Sequence, residues 1–289
     1  TARRMSGLWA EKGKVMDNRV VVRQMLKAGA KRRLFGYLLP CVGVALVGSL
    51  ISSLFKIILS GQIPDLETLM QAENISQYLP QVLKTNGLSL LFGLLISPLT
   101  VGSYAFFTEV MRDKKPPFTM VFTWLGEGRR LKTAYLANLW YFLISLRFML
   151  QFCTLPGVLF YGSSLLFGKL PDIAAMAVYL LAFAVFIAAC VFAYARVNAY
   201  LPALYMLASN PELPILRTFT FCGNMMRGRV WEFFVLRLSF LGWEVLAAFT
   251  CGLSAAFVTP YINLTVAGYT EYLKMKALEA DIETKGTEQ

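Results

Sequence analysis

Long stretches without charge constrain this chain more than any other feature. Residues 34–55, 85–108, 173–195 and 245–270 carry no charged side chain, and residues 133–168 carry only Arg147. A helix crossing the hydrocarbon core of a bilayer needs about 20 consecutive, mostly apolar residues, so the chain is expected to be an all-α, polytopic transmembrane bundle. Composition agrees: 57% of residues are hydrophobic and 16% charged, whereas a soluble domain has about 25% charged.

The net charge of +11 raises the question of nucleic acid, but the placement of the charge argues against it. The N-terminal segment, residues 112–132, residues 208–230 and the C-terminus hold 22 of the 28 Lys and Arg residues. The intervening segments 61–87 and 161–172 hold only Lys84 and Lys169. Lys and Arg concentrate in cytoplasmic loops, so the basic side is assigned to the cytoplasm of a multi-pass inner-membrane protein, with both termini inside. No signal peptide is evident; the first apolar run is too long for a signal core and reads as an uncleaved span.

Six helices are expected, over about 34–59, 86–110, 134–160, 173–207, 231–257 and 259–275. The alternative is one span over residues 245–270, broken at Pro260; that five-span version sends Lys274 and Lys276 outside, against the charge bias. Shifting the chain by 97 residues superposes Gly29, Gly126 and Gly223, and also Arg33, Arg130 and Arg227. Leu99-Thr100-Val101 with Tyr104 echoes Leu264-Thr265-Val266 with Tyr269. A single membrane domain over 1–289 is expected. It would contain three parallel units, about 16–111, 112–208 and 209–276, each a surface helix followed by a two-span hairpin, with a tail at 277–289.

Residues 1–33 read as a basic amphipathic segment. Arg19, Arg23, Lys27 and Lys31 recur every four residues, while Val21, Val22, Met25 and Leu26 lie mostly off that stripe. Such a helix lies in the interface with its cations toward anionic headgroups. With Arg33, Arg130 and Arg227 these residues are the expected contacts to anionic lipid of the cytoplasmic leaflet; plain cytoplasmic connectors are the competing reading. The expected partners are the phospholipid bilayer and an unidentified membrane protein, not nucleic acid.

Charges within the spans carry the sharper expectation. A charged group at bilayer centre costs roughly 2.5–3.5 kcal/mol on insertion scales, so it is normally paired or faces a polar cavity. The 97-residue shift places Arg147 on Glu244, which predicts an ion pair near the midplane. Arg196, Arg237, Asn138, Asn198 and Asn263 are the candidates for a polar cavity around it.

Catalytic signals are sparse. With no histidine in the chain, Ser-His and Cys-His nucleophile pairs and the usual zinc sites are excluded. No aspartate falls mid-span, the five cysteines show no metal spacing, and no cofactor or metal is expected. Ser52 and Lys56 stand four apart, but Lys56 is better placed to snorkel outward.

One stretch carries a resemblance. Asn210-Pro211-Glu212-Leu213, Met225-Met226-Arg227-Gly228, Trp231-Glu232-Phe233-Phe234-Val235-Leu236 and Leu238-Ser239-Phe240-Leu241-Gly242-Trp243, followed by Pro260-Tyr261 and Tyr269 through Lys274, resemble a bacterial integral membrane protein family of unknown function, number 975. It covers the C-terminal quarter closely and the rest by hydropathy. The resemblance implies a six-span inner-membrane protein and carries over no catalytic residue. The leading functional expectation is a non-enzymatic scaffold or accessory factor in envelope or lipid-related processes. The alternative is a transporter or lipid-handling protein with its site at the level of Arg147 and Glu244.

Accessibility labelling is expected to find the regions near Lys115 and Arg229 on the same, cytoplasmic face; labelling on opposite faces overturns the parallel arrangement.

Overall fold

The computed structural model describes residues 19–60, 79–164, 172–250 and 254–286. Residues 1–18, most of the outer segment 61–87, Cys251 and the end of the tail lie outside the described residues, as do the side chains of Arg19, Ser52 and Lys56. Among the described residues all regular structure is helical. The helices are α1 (Arg19–Gly36), α2 (Leu38–Ser60), α3 (Leu79–Met111), α4 (Gly128–Ser164), α5 (Asp172–Asn198), α6 (Leu201–Ser209), α7 (Ile215–Met225), α8 (Val230–Leu238), α9 (Leu241–Phe249) and α10 (Ala255–Gly286). A 3-10 turn, Phe118–Phe122, and one α-turn, Thr123–Gly126, join α3 to α4.

Among the described residues four stretches are long and apolar enough to cross a membrane: Leu38–Phe55, Gly87–Met111, Gly128–Ser163 and Ile173–Ser209. This marks a membrane protein, and the four coincide with the first four expected spans. The continuous fifth helix expected over 231–257 is not present. Its first part forms α8 and α9, nine residues each, and nine residues rise only about 14 Å, half the hydrocarbon thickness. The helix breaks at Ser239–Phe240, where the Ser239 hydroxyl bonds back to the Leu236 carbonyl. The expected sixth span lies inside α10, a helix of 32 residues.

Helix α10 is the post of the structure. It touches α1, α2, α3, α6 and α9, and Leu264, Val266, Ala267, Tyr269 and Leu273 on it are fully buried. A Cβ on Gly268 would stand 2.7 Å from the Met111 Cε and 3.4 Å from a Leu26 methyl, so glycine here lets α1 and α3 close on the post. The clamp at the charged end is ionic. Arg112 at the end of α3 reaches both Glu109 and Glu271 at 3.0 Å, and Lys274 also binds Glu271 at 3.0 Å.

The same packing revises the reading of α1. Val22, Leu26, Ala30 and Leu34 recur every four residues and are buried in clusters shared with α10. The apolar stripe therefore faces protein rather than the lipid interface. Burying each of its Val and Leu side chains stabilises by about 1.5–3 kcal/mol over exposure. Lys27 is drawn in with it: its ammonium lies 4.6 Å from the centroid of the Phe240 ring. Burial, then the like charge of Arg23, holds its pKa below the ordinary lysine value.

Helices α4 and α5 form an antiparallel hairpin with the broadest helix–helix contact among the described residues. Phe160 packs between Tyr179, Phe183 and Phe186 with centroids 5.1–5.7 Å apart. Cys153 and Cys190 face each other with sulfurs 3.9 Å apart. The outer faces, including Leu150, Leu155, Val158, Ile173, Leu181 and Phe192, are exposed, which suits acyl chains as neighbours. The register predicts that copper–phenanthroline oxidation of the otherwise cysteine-free chain crosslinks Cys153 to Cys190 within one molecule. Shifting either cysteine by two helix positions should abolish the crosslink on a mobility gel, and persistence of the crosslink would sink the register.

Candidate functional site

Helices α2, α3 and α10 do not close completely on one another. Between them lies a half-open cavity of about 380 Å³, lined by Gly48, Ser49 and neighbours on α2, Thr100, Ser103 and Tyr104 on α3, Val121, and Thr259 and Asn263 on α10. Its walls mix aliphatic side chains with Ser49, Thr100, Ser103, Tyr104, Thr259 and Asn263, and none of its lining residues is charged. Small residues account for the volume: nothing lies within 4 Å of a Cβ built on Gly48. Prolines mark two of the walls, Pro98 within α3 and Pro260 within α10, each removing a helical hydrogen bond.

The hydroxyl protons are largely accounted for within the helices. Ser49 donates to the Ala45 carbonyl, Thr100 to Ile96 at 3.3 Å and Ser103 to Thr100 at 2.7 Å. What they present to the cavity is acceptor capacity. Asn263 is held from behind: its Oδ1 accepts the Tyr205 hydroxyl at 3.1 Å, and the fully buried Tyr205 ring stacks on Tyr104 at 4.3 Å. Arg237, half-buried on α8, lies within electrostatic reach of the Tyr104, Tyr141 and Tyr205 hydroxyls. The cavity has no acid–base pair, and among the described residues no cluster could hold a metal ion. The arrangement is chemically a binding site: apolar walls, several acceptors and one carboxamide with free N–H groups.

The expected site residues separate. Asn263 lines the cavity, and Arg237 lies within electrostatic reach of Tyr104 on its wall. Asn138 and Asn198 donate to carbonyls of their own helices, Ala134 at 3.1 Å and Tyr194 at 2.8 Å, and do not line the cavity between α2, α3 and α10. The Arg147–Glu244 ion pair is not formed: both side chains are exposed, and no ion pair among the described residues includes either. The physical reason is helix placement, since α4 packs along α5 whereas α9 packs on α10. Register sets the level of Arg147 instead. Six residues before Cys153 on α4 and six after Cys190 on α5, Arg147 and Arg196 stand level with each other.

Several of the expected lipid contacts already have protein partners. Arg33 makes a two-pronged bond to Asp113 at 2.8 and 2.9 Å, and Arg130 pairs with Glu127 at 2.7 Å. Lys27 covers Phe240, and Arg23 is half-buried, while Lys31 and Arg227 are exposed. The cysteine on α7 is structural: Cys222 is fully buried, and burial pushes its thiol up to about 12. The tyrosine cluster was missed in the sequence, although Tyr104 closes the Leu-Thr-Val motif that was noticed there as an echo.

The family described as protein of unknown function (DUF975) matches residues 16–279, and the chain belongs to it. Neither the curated proteins nor the solved structures contain a match.

Replacing Tyr205 by Phe is expected to destabilise the protein by about 1 kcal/mol, the net worth of one hydrogen bond. The loss should be non-additive with Asn263→Ala in a double-mutant cycle; thermal unfolding in detergent measures both, and additivity would show that the bond does not form.

Proposed function

For this member of an uncharacterised family we propose a non-enzymatic inner-membrane protein that binds a neutral amphiphile in the cavity between α2, α3 and α10, acting as an accessory factor in lipid or envelope processes. The observation that carries the reading is the lining of that cavity: aliphatic walls, uncharged acceptors and the Asn263 carboxamide. Its volume of about 380 Å³ falls within the few hundred to about 1,000 Å³ of ordinary ligand sites. An uncharged lining inside a membrane favours acyl, polyprenyl or glyceride-like groups over ions, because a charge would lack a counter-charge there.

The proposed setting is six membrane-inserted segments in three like-oriented units, with both termini cytoplasmic. Two ion pairs support the first two units. Arg33–Asp113 and Arg129–Glu212 each tie the start of a unit to the connector after it, across 80 and 83 residues. The third unit would comprise the broken pair α8–α9 and the post α10. A scaffold for another membrane protein is the second reading, favoured by the long exposed apolar faces of the α4–α5 hairpin.

A bulky side chain at Gly48 separates the two. Gly48→Phe is expected to fold as the parent does, because the new ring enters open volume. It should lose a neutral lipid that mass spectrometry finds co-purified with the parent protein. An unchanged lipid complement would reject the cavity as a binding site and leave the scaffold reading.

A further inference from the structure

We propose a second site, for a phosphate ester, in the groove between the end of α5 and the turn that joins α7 to α8. Two adjoining recesses, of about 160 and 50 Å³, share Arg196 and Val230 and so form one groove. Arg196 enters from the last turn of α5 and Arg227 from the connecting turn. Trp231 and Phe192 wall one end, edge to face at 5.0 Å, and Phe148 and Tyr200 wall the other. The turn is kept tight by Gly228, whose φ of +75° favours glycine.

Charge points to the ligand. Arg196 and Arg227 border the same recess of about 50 Å³, are exposed, and take part in no ion pair among the described residues. Two like charges gathered at one groove repel unless an anion lies between them. Arg147, level with Arg196 by the hairpin register, adds a third cation at that height. Guanidinium groups match the oxygens of phosphate in pairs, and the indole and phenyl rings beside them suit the headgroup level of a membrane. Below the groove run the exposed apolar faces of α4 and α5, where the acyl chains of a phospholipid would lie. A second basic recess, lined by Arg32, Arg33, Lys114 and Lys115, contains Asp113, which binds Arg33; the Arg196–Arg227 groove contains no carboxylate. That contrast favours it as the stronger anion site. It shares no residue with the cavity between α2, α3 and α10, so either proposal can fail without the other.

The test is native mass spectrometry of the full chain in nonionic detergent, titrated with phosphatidylglycerol, phosphatidylcholine or inorganic phosphate. Phosphatidylglycerol is expected to bind about tenfold tighter than phosphatidylcholine, and Arg196→Gln with Arg227→Gln to weaken it about tenfold. Arg227→Lys should retain part of the affinity, and Arg32→Gln with Lys115→Gln should leave it unchanged. Binding of inorganic phosphate that depends on the same two arginines, without preference between the lipids, assigns the site to a soluble phosphate compound rather than a headgroup. Equal binding of every probe by the parent and by a folded double glutamine variant overturns the site.

Discussion

The close approach of α1 and α3 to α10 is the contact on which the rest of the structure depends. It rests on Gly268, which admits Met111 and Leu26, and on the Arg112–Glu109–Glu271 clamp one turn further along. With α10 fixed, the apolar stripe of α1 has a partner, the charged end of α3 has its counter-ions, and Tyr205 on α6 meets Asn263. Packing is tight at this end: Phe106, Phe107, Trp124, Tyr205 and Tyr269 are all fully buried. Toward α2 the facing residues become Gly48, Ser49, Thr100 and Ser103, which are too small to fill the space.

Four spans were legible because uninterrupted apolar runs leave a helix little choice in lipid. Leu38–Phe55 and Ile173–Ser209, for example, fall within a few residues of the expected 34–59 and 173–207. The role of α10 was not legible. Residues 255–270 read as apolar whether they face lipid or protein, and hydropathy cannot separate the two when lipid tails are as apolar as leucine. The break at Ser239–Phe240 was hidden for a related reason: a serine inside an apolar run is ordinary in membrane helices. In α1 the fourfold spacing of Val22, Leu26, Ala30 and Leu34 was readable as one apolar face, but what covers that face is decided by α10, more than 200 residues away in the sequence.

Of the residues expected to line a polar cavity around Arg147 and Glu244, Asn263 lines the cavity between α2, α3 and α10; it stands out in the sequence as a polar group in apolar surroundings. Tyr104 and Tyr205 did not stand out, because a tyrosine on an apolar helix usually packs as an aromatic ring with its hydroxyl at an edge. Within the Leu99-Thr100-Val101 and Leu264-Thr265-Val266 stretches, Val101 and Val266 are each 1% exposed, on two of the helices that wall the cavity. Thr100 faces that cavity whereas Thr265 is fully buried, so a shared motif produced unlike surroundings.

The expected meeting of Arg147 and Glu244 fails for a reason that applies to repeat arguments in general. A fixed shift along the sequence equates depth only if each unit enters the membrane at the same residue. Helix α4 has 37 residues, about 55 Å of rise, far more than a hydrocarbon core of about 30 Å. A residue at its midpoint is therefore not pinned to the bilayer centre. The hairpin register is a stronger ruler than the shift, and it sets Arg147 level with Arg196. Both arginines are exposed there, and cations at one level without carboxylate partners are stable only where water or an anionic molecule can reach them.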